Sequence, residues 1–174
     1  IIQLYALVMV VPKKYNIVLD TLKLETVVQF IEAAFYTWLV YGIYKLKDVT
    51  STRYFDWVIT TPIMLISTCA YLYFLKNKDK KELKFKDFIL ENKDIIVKIL
   101  VSNWMMLLFG YLAETNRLSF WISQPFGFIF FFYSFYLIYD NYAKYTKEGL
   151  KLFITLFSIW SLYGVASILG TNSK

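Results

Sequence analysis

The chain has 174 residues, of which 58% are hydrophobic, 21% aromatic and 18% charged, with a formal net charge of +6. Soluble globular chains are about 45–50% apolar and about 25% charged, so this composition excludes an ordinary soluble domain. The sequence contains no histidine and a single cysteine, Cys69. These counts exclude a histidine metal site and an internal disulfide framework.

Apolar runs of about 20 residues, the length that crosses a bilayer as a helix, recur along the chain. They predict an all-α, multi-span transmembrane helical bundle that forms one domain over residues 1–174. Residues 1–11 are interpreted as the back half of a first helix, too short to span and ended by Pro12. Five complete helices are predicted, over residues 16–44, 53–75, 94–112, 118–139 and 150–169.

The lysines lie mainly between the predicted helices, and the densest tract covers residues 76–86. Such a tract is also typical of nucleic-acid or lipid-headgroup binding. Between two membrane spans the positive-inside rule favours a cytoplasmic loop instead, and the loop over residues 114–117 carries no charge excess. We therefore expect an integral membrane protein without a nucleic-acid partner. Its cytoplasmic loops are predicted over residues 12–16, 76–93 and 140–149.

A polar stripe runs along the second predicted helix, where Glu25, Gln29, Glu32 and Tyr36 recur at spacings of four, three and four residues. Glu32 falls near the middle of the membrane, where a carboxylate is costly and normally serves a function. Glu25 lies nearer the helix end and is equally consistent with a solvated position. Both are candidate functional residues.

The third predicted helix places ionisable residues at the mouth of an apolar segment. Steps of three, four and seven residues return to the same helix face. The face so defined contains Arg53, Asp56, Trp57, Thr60, Met64 and Ser67. Pro62 has no backbone N–H, which frees the carbonyl of Val58. A membrane helix tolerates this break where a neighbouring helix or a buried hydroxyl compensates.

Residues 53–62, Arg-Tyr-Phe-Asp-Trp-Val-Ile-Thr-Thr-Pro, resemble helix C of the microbial (type 1) rhodopsins, whose usual form is Arg-Tyr-x-Asp-Trp-x-x-Thr-x-Pro. The resemblance implies that Asp56 is the counterion and proton acceptor of a retinal Schiff base. It also implies that Arg53 lies on the extracellular side of Asp56 and that Thr60 hydrogen-bonds the aspartate. The alternative is a structural ion pair inside an unrelated transporter.

The same resemblance implies a pocket for all-trans retinal, with indoles above and below the chromophore and a glycine that leaves room for its ionone ring. The residues expected in this pocket are Tyr54, Trp57, Thr60, Thr61, Met64, Met106, Gly110, Trp121, Gln124, Phe128, Trp160, Tyr163 and Gly164. The sequence departs from the common pattern at Gly164, where proline is usual, and at Ser167, where an aromatic residue is usual.

By this resemblance the chain covers the seven-helix rhodopsin fold from the end of helix A through helix F and is truncated at both ends. The lysine that carries retinal belongs to helix G and is expected beyond residue 174, because Lys174 lies too close to Trp160 to serve. The chain as given is therefore expected not to bind retinal covalently. Rhodopsin chemistry needs neither a nucleophile nor a metal, so no enzyme activity is expected.

The mode of transport depends on Ser67 and on the two glutamates of the second helix. Ser67 follows Asp56 by eleven residues, where outward proton pumps usually carry a carboxylic acid that reloads the Schiff base. Glu25 and Glu32 provide carboxylates for a cation path and resemble those of the channel-forming rhodopsins of giant algal viruses.

We therefore expect a light-gated cation channel. The alternatives are a light-driven outward proton pump with slow reloading, through Glu32, and a sensory photoreceptor. The expected partners are retinal, the lipid bilayer and protons or monovalent cations, and a homo-oligomer is left open.

Overall fold

The computed structural model describes residues 5, 7–42, 49–80 and 82–171. These residues contain six α-helices and no strand, which confirms the predicted all-α class. The helices are α1 Asn16–Gly42, α2 Val49–Lys76, α3 Phe85–Glu91, α4 Lys93–Glu114, α5 Phe120–Asn141 and α6 Lys147–Thr171. Single 3-10 turns occupy Lys13–Tyr15 and Ala143–Tyr145.

Four of the helices, α2, α4, α5 and α6, are long and apolar enough to cross a membrane. Helix α1 has 27 residues, and at 1.5 Å per residue it is roughly 40 Å long, which exceeds the bilayer core of about 30 Å. Its hydropathy is lower because Asp20, Lys23, Glu25 and Glu32 interrupt it. These helices indicate an integral membrane protein.

The predicted first helix is wrong over residues 7–12, although residue 5 is helical. Residues 7 and 8 form a turn and residues 9–12 are not helical, while residues 1–4 and 6 lie outside the described residues. Pro12 disfavours helical geometry in the residue before it. Val8 and Val10 are 75% and 94% exposed, so the described residues cover little of this segment.

The other boundaries differ by a few residues from the prediction. Helix α2 begins at Val49, inside the loop predicted up to Arg53. Ser119, before α5, has an extended ψ of 134°, so α5 begins at Phe120 rather than at residue 118. Helix α6 begins at Lys147 because the Thr146 Oγ1 accepts the Gly149 N–H over 3.0 Å. The predicted residues 43 and 44 lie outside the described residues.

Helix α3 was not predicted at all, because lysines dominate the tract in which it lies. Its Phe85, Phe88 and Ile89 nevertheless recur at helical spacing on one face. The Phe88 side chain is fully buried, at 0% exposure, and packs against the hydrophobic core. Burial of this face, rather than the composition of the segment, explains why the helix forms.

The helices pack in a chain of neighbours: α1 contacts α2, α2 contacts α4, α4 contacts α5, and α6 contacts both α2 and α5. Because successive long helices run antiparallel, residues 12–15, 77–92 and 142–146 meet at one end, which we call the lysine-rich end. The hydrophobic core lies toward this end and includes the fully buried Leu72, Phe88, Ile99, Ile138 and Tyr142.

Polar contacts also join the segments at the lysine-rich end. The Tyr142 hydroxyl donates to Asn92 Oδ1 over 3.1 Å, and the Tyr73 hydroxyl donates to Glu91 Oε2 over 2.6 Å. Lys76 Nζ donates to the Asn141 carbonyl over 3.2 Å and lies 3.8 Å from the centroid of the Tyr145 ring. These contacts attach α3 and the 3-10 turn after α5 to the bundle.

Helix α6 meets α5 through aromatic rings. The Phe157 ring stacks on Phe131 with a centroid distance of 5.5 Å and meets Phe135 edge-on at 5.4 Å. Phe153 and Trp160, further along the same face of α6, lie 5.9 Å and 5.7 Å from Phe135. The apolar, ring-rich sequence of both helices thus produces an interface of stacked and tilted rings.

Candidate functional site

A cavity of about 540 Å³ opens among α1, α2, α4, α5 and α6, in the half of the bundle away from the lysine-rich end. Its walls combine aromatic rings, methionine thioethers, hydroxyls and glycines. The sequence-predicted pocket residues that line it are Tyr54, Trp57, Thr60, Thr61, Met64, Met106, Gly110, Gln124, Phe128, Trp160, Tyr163 and Gly164. The helices thus bring together nearly all the side chains that the resemblance assigned to one pocket.

Trp57 lies at the centre of an aromatic group on the α2 wall. Its ring meets those of Tyr54 and Tyr163 edge-on, with centroid distances of 5.2 Å and 5.7 Å. The Arg53 guanidinium lies 5.4 Å from the centroid of the Trp57 ring, within the range of a cation–π contact. Contacts on several sides restrict the indole to one orientation.

Two glycines of the cavity wall allow close approach of aromatic rings. A Cβ on Gly110 would lie 2.6 Å from the Tyr54 hydroxyl, and a Cβ on Gly164 would lie 2.8 Å from Phe128 Cε1. Both distances are too short for a side chain without movement of the ring. The space beside Gly110, which was expected to admit the ionone ring, is therefore taken by Tyr54.

Trp121 is not placed in the cavity, contrary to the expectation. Its side chain is 76% exposed, and it is absent from the residues that line the cavity. Phe120, Gln124 and Phe128 share a helix face at steps of four residues, whereas Trp121 is rotated by about 100° from Phe120. Sequence reasoning selected the indole and missed Phe120, and it also missed Phe131 on the same wall.

Asp56 is almost completely buried, at 3% exposure, between residues that line the cavity. Neither of its carboxylate oxygens has a hydrogen-bond partner among the described residues. A buried carboxylate without compensation is strongly unfavourable, so the Asp56 position suits a cationic or hydrogen-bonding partner.

Thr60 hydrogen-bonds Asp56 through the main chain rather than through the carboxylate. Its Oγ1 donates to the Asp56 carbonyl over 3.0 Å. A threonine inside a helix commonly donates to the carbonyl four residues earlier, and this local bond prevails here. The expected contact between the two residues is present, but the carboxylate does not take part in it.

The break at Pro62 is compensated from α4, as the sequence predicted. Trp104 Nε1 donates to the freed Val58 carbonyl over 3.1 Å. Thr61 Oγ1 donates to the Trp57 carbonyl over 2.7 Å and accepts from Asn103 Nδ2 over 2.7 Å. Sequence reasoning identified the need for a neighbouring helix or a buried hydroxyl as partner, but it did not identify Trp104 or Asn103.

The two glutamates of α1 occupy different places. Glu32 lines the large cavity and lies within electrostatic reach of Asp56 and Glu25. Glu25 accepts a hydrogen bond from the Ser67 hydroxyl, and Ser67 is 3% exposed. Both residues line a second cavity of about 210 Å³. Glu25 is therefore not a solvated helix end but a partly buried group in contact with α2.

Comparison with known proteins agrees with this geometry. The sequence matches the family described as "Bacteriorhodopsin-like protein" over residues 2–174. The chain therefore belongs to the bacteriorhodopsin-like family. Among solved structures, it is similar to the viral rhodopsin OLPVRII, with a TM-score of 0.80 and 26% identity. The match covers 95% of this chain and 74% of that one. No curated protein sequence matches the chain.

Membership of this family and the likeness to a viral rhodopsin support light-driven ion transport as the general function. Retinal is the general chromophore of such proteins. They are ion transporters or photoreceptors and generally not enzymes.

Proposed function

We propose that this protein binds all-trans retinal in the 540 Å³ cavity and acts as a light-gated cation channel. The observation that carries the first part is the buried Asp56 carboxylate, which has no partner among the described residues and lies next to an aromatic cavity. A cavity of this size is in the range of small-molecule sites, which are mostly apolar with a few placed polar groups. The residues present thus fit a long, apolar chromophore that carries one positive charge.

The rings and the thioethers of the cavity would hold the polyene. Trp57 and Trp160 present flat indole surfaces, and Met64 and Met106 present flexible apolar side chains that adapt to a neighbour. Retinal, when bound, supplies light absorption and a photoisomerisation that redirects its positive charge. No lysine of the described residues lines the cavity. We therefore propose no attachment lysine among the described residues.

Asp56 would hold the negative charge that balances the chromophore and would accept a proton after illumination. Burial strengthens its interaction with a nearby cation, because the surrounding protein screens charges less than water does. The Arg53 guanidinium, stacked on Trp57 one turn further out, adds positive charge at the mouth of the site. The chain's own residues thus define an ordered pair of charges along α2.

A cation path is suggested by three carboxylates at successive depths, those of Glu25, Glu32 and Asp56. Glu25 and Glu32 are seven residues apart on α1, which corresponds to about 10 Å along the helix axis. Carboxylates that line a pore attract cations and exclude anions. The Ser67–Glu25 hydrogen bond joins α2 to α1, and we propose that it narrows the cation path near the lysine-rich half. Loss of that bond in the light would open it.

The test is the photocurrent of the full-length, retinal-loaded protein under voltage clamp with different cations on the two sides. A channel gives a current that reverses at a voltage set by the cation gradient. A current that keeps one direction across the accessible voltages would contradict the channel and support a pump. Light absorption without current would leave only a sensory role.

An outward proton pump is the second candidate, and the Ser67–Glu25 contact favours it. Ser67 holds the place of the usual carboxylic proton donor, and the structure brings the Glu25 carboxylate against its hydroxyl. Glu25, rather than the Glu32 of the sequence-based alternative, would then return a proton toward the cavity. Azide, a small diffusible proton carrier, should accelerate recovery of the dark state only if the return of the proton from Glu25 is slow.

A further inference from the structure

Trp104 extends from α4 to the backbone of α2 at the point where Pro62 interrupts that helix. Its indole Nε1 donates to the Val58 carbonyl over 3.1 Å. This carbonyl lies four residues before Pro62, which has no N–H to offer it. In lipid no water replaces the lost donor, so the carbonyl needs one from a side chain.

The indole suits this position at the surface of the bundle. Tryptophan offers one N–H donor and no acceptor, so the bond leaves no further polar atom of the side chain unsatisfied. The Trp104 side chain is 45% exposed, so the rest of the ring can face the apolar part of the bilayer. Because lipid offers no water to the indole N–H either, the bond satisfies donor and acceptor together.

A second bond, from the preceding residue of α4, reinforces the contact. Asn103 Nδ2 donates to Thr61 Oγ1 over 2.7 Å, and Thr61 Oγ1 donates to the Trp57 carbonyl over 2.7 Å. Trp104 therefore binds the Val58 carbonyl directly, and Asn103 binds the hydroxyl that donates to the Trp57 carbonyl. We call these five residues, Trp57, Val58, Thr61, Asn103 and Trp104, the α2–α4 clasp.

The clasp lies between two walls of the cavity. Trp57 lines the cavity on α2, and Asp56 precedes it. On α4, Met106 and Gly110 line the facing wall two and six residues after Trp104. A change in the clasp would therefore alter how far Trp57 and Asp56 lie from Met106 and from the Tyr54 ring that packs on Gly110.

We propose that Trp104 is a positioning residue whose indole N–H holds the Pro62 break in one geometry and so fixes Trp57 and Asp56 relative to the α4 wall. The effect on light absorption rests on the proposed function of the cavity. The effect on the geometry of α2 does not require retinal. Trp104 touches neither the cavity nor the carboxylate and acts only through the α2 backbone.

A double-mutant cycle tests this role in the full-length protein. Trp104→Phe keeps an aromatic ring and removes the donor, whereas Pro62→Ala returns an N–H that can satisfy the Val58 carbonyl within α2. Trp104→Phe alone should lower Tm by about 2–4 °C, as expected for the loss of one hydrogen bond in a protein of this size. In the Pro62→Ala background the same substitution should lower Tm by less than half as much. Trp38→Phe, at another exposed tryptophan, is the matched control.

Two spectroscopic signals separate positioning from a general loss of stability. With ¹⁵N-labelled tryptophan, the Trp104 indole N–H resonance should lie downfield in the native protein and should move upfield in Pro62→Ala. In the retinal-loaded protein, Trp104→Phe should shift the absorption maximum, and Trp38→Phe should not. If Pro62→Ala does not fold, Trp104→His, which keeps a ring N–H, should recover part of the Tm lost in Trp104→Phe.

The clasp would be overturned if Trp104→Phe lowered Tm equally in both backgrounds. It would also be overturned if the chemical shift of the Trp104 indole N–H did not change in Pro62→Ala. If Pro62→Ala does not fold, the clasp would be overturned by a Trp104→His variant that recovers none of the Tm lost in Trp104→Phe. An unshifted absorption maximum in a protein that does bind retinal would overturn its link to the chromophore. Failure of the native protein to bind retinal would instead reject the proposed function, while the Tm cycle and the indole resonance would still test the clasp.

Discussion

The two halves of the bundle are held together differently. Toward the lysine-rich end, Phe88, Leu72 and Ile138 are completely buried, and Tyr73 and Tyr142 donate to Glu91 and Asn92. Around the cavity, the oxygens of Asp56 are buried without a partner among the described residues, and so is Asn103 Oδ1. The lysine-rich half thus satisfies these polar groups internally, whereas the cavity half keeps buried oxygens that have no partner among the described residues. Stability and function are therefore expected to depend on different residues.

The largest expected effect is on the cavity half. Asp56→Asn keeps the shape of the side chain and removes its charge, so the retinal-loaded protein should absorb at longer wavelength and lose nearly all photocurrent. Asp56→Glu, which keeps the charge, is the control and should retain part of both properties. Absorption spectra and voltage clamp measure the outcome. A normal spectrum with full current in Asp56→Asn would show that another group balances the chromophore.

The next effect should be confined to stability. Phe88→Ala removes a ring with 0% exposure from the core of the lysine-rich half, and such a truncation costs about 3–5 kcal/mol. Thermal or denaturant unfolding in a membrane mimetic measures the loss. The absorption maximum of the protein that remains folded should not move.

Phe55→Ala provides the comparison, since Phe55 is 68% exposed and its truncation should cost within about 0.5 kcal/mol. Similar losses in both variants would mean that the core at the lysine-rich end does not dominate the stability of the bundle.

Glu25 and Glu32 lie between the two halves of the bundle, and the same substitution, Glu→Gln, tests the role of each. In a channel, Glu25→Gln and Glu32→Gln should each reduce cation current or alter selectivity, because each removes a charge from the path. In a pump that returns protons through Glu25, Glu25→Gln alone should slow recovery in darkness, by about 10²-fold. Flash photolysis and photocurrents distinguish the two patterns. Native current, selectivity and recovery in both variants would assign both carboxylates a structural role.

The smallest expected effect concerns Trp121. Because this side chain is 76% exposed and lies outside the cavity, Trp121→Phe should leave the absorption maximum and photocurrent unchanged. Phe120→Ala, at the neighbouring position that lines the cavity, should shift the absorption. The two spectra, recorded side by side, check which register α5 adopts. A shift in Trp121→Phe with none in Phe120→Ala would reverse the assignment.

The fold was predictable because the bilayer imposes a simple rule on sequence. Spans need apolar runs, and the runs in this chain are separated by short polar tracts, several of them lysine-rich. The five complete helices were therefore placed with errors of a few residues at their ends. Helix α3 was missed because its evidence is a buried Phe88 rather than a run of apolar residues. A short amphipathic helix among many lysines is recognised only from the residues against which its apolar face packs.

The candidate site was predictable where a motif places residues on one helix and less so between helices. The face from Arg53 to Met64 follows from helical spacing alone. The Ser67–Glu25 and Trp104–Val58 hydrogen bonds join residues that are 42 and 46 positions apart, and sequence spacing does not indicate them. Trp121 was selected because the resemblance favours a tryptophan at this place. Neighbouring residues of a helix point about 100° apart, however, so Phe120 lines the cavity and Trp121 does not.

The ring-on-ring interface between α5 and α6 has a mechanical consequence. Stacked and tilted rings attract one another over a range of offsets, so Phe157 can slide across Phe131 and Phe135 without breaking a directional bond. The α2–α4 contact, by contrast, resists sliding because its hydrogen bonds lengthen with any shift. The bundle therefore has a stiffer contact between α2 and α4 and a more compliant contact between α5 and α6.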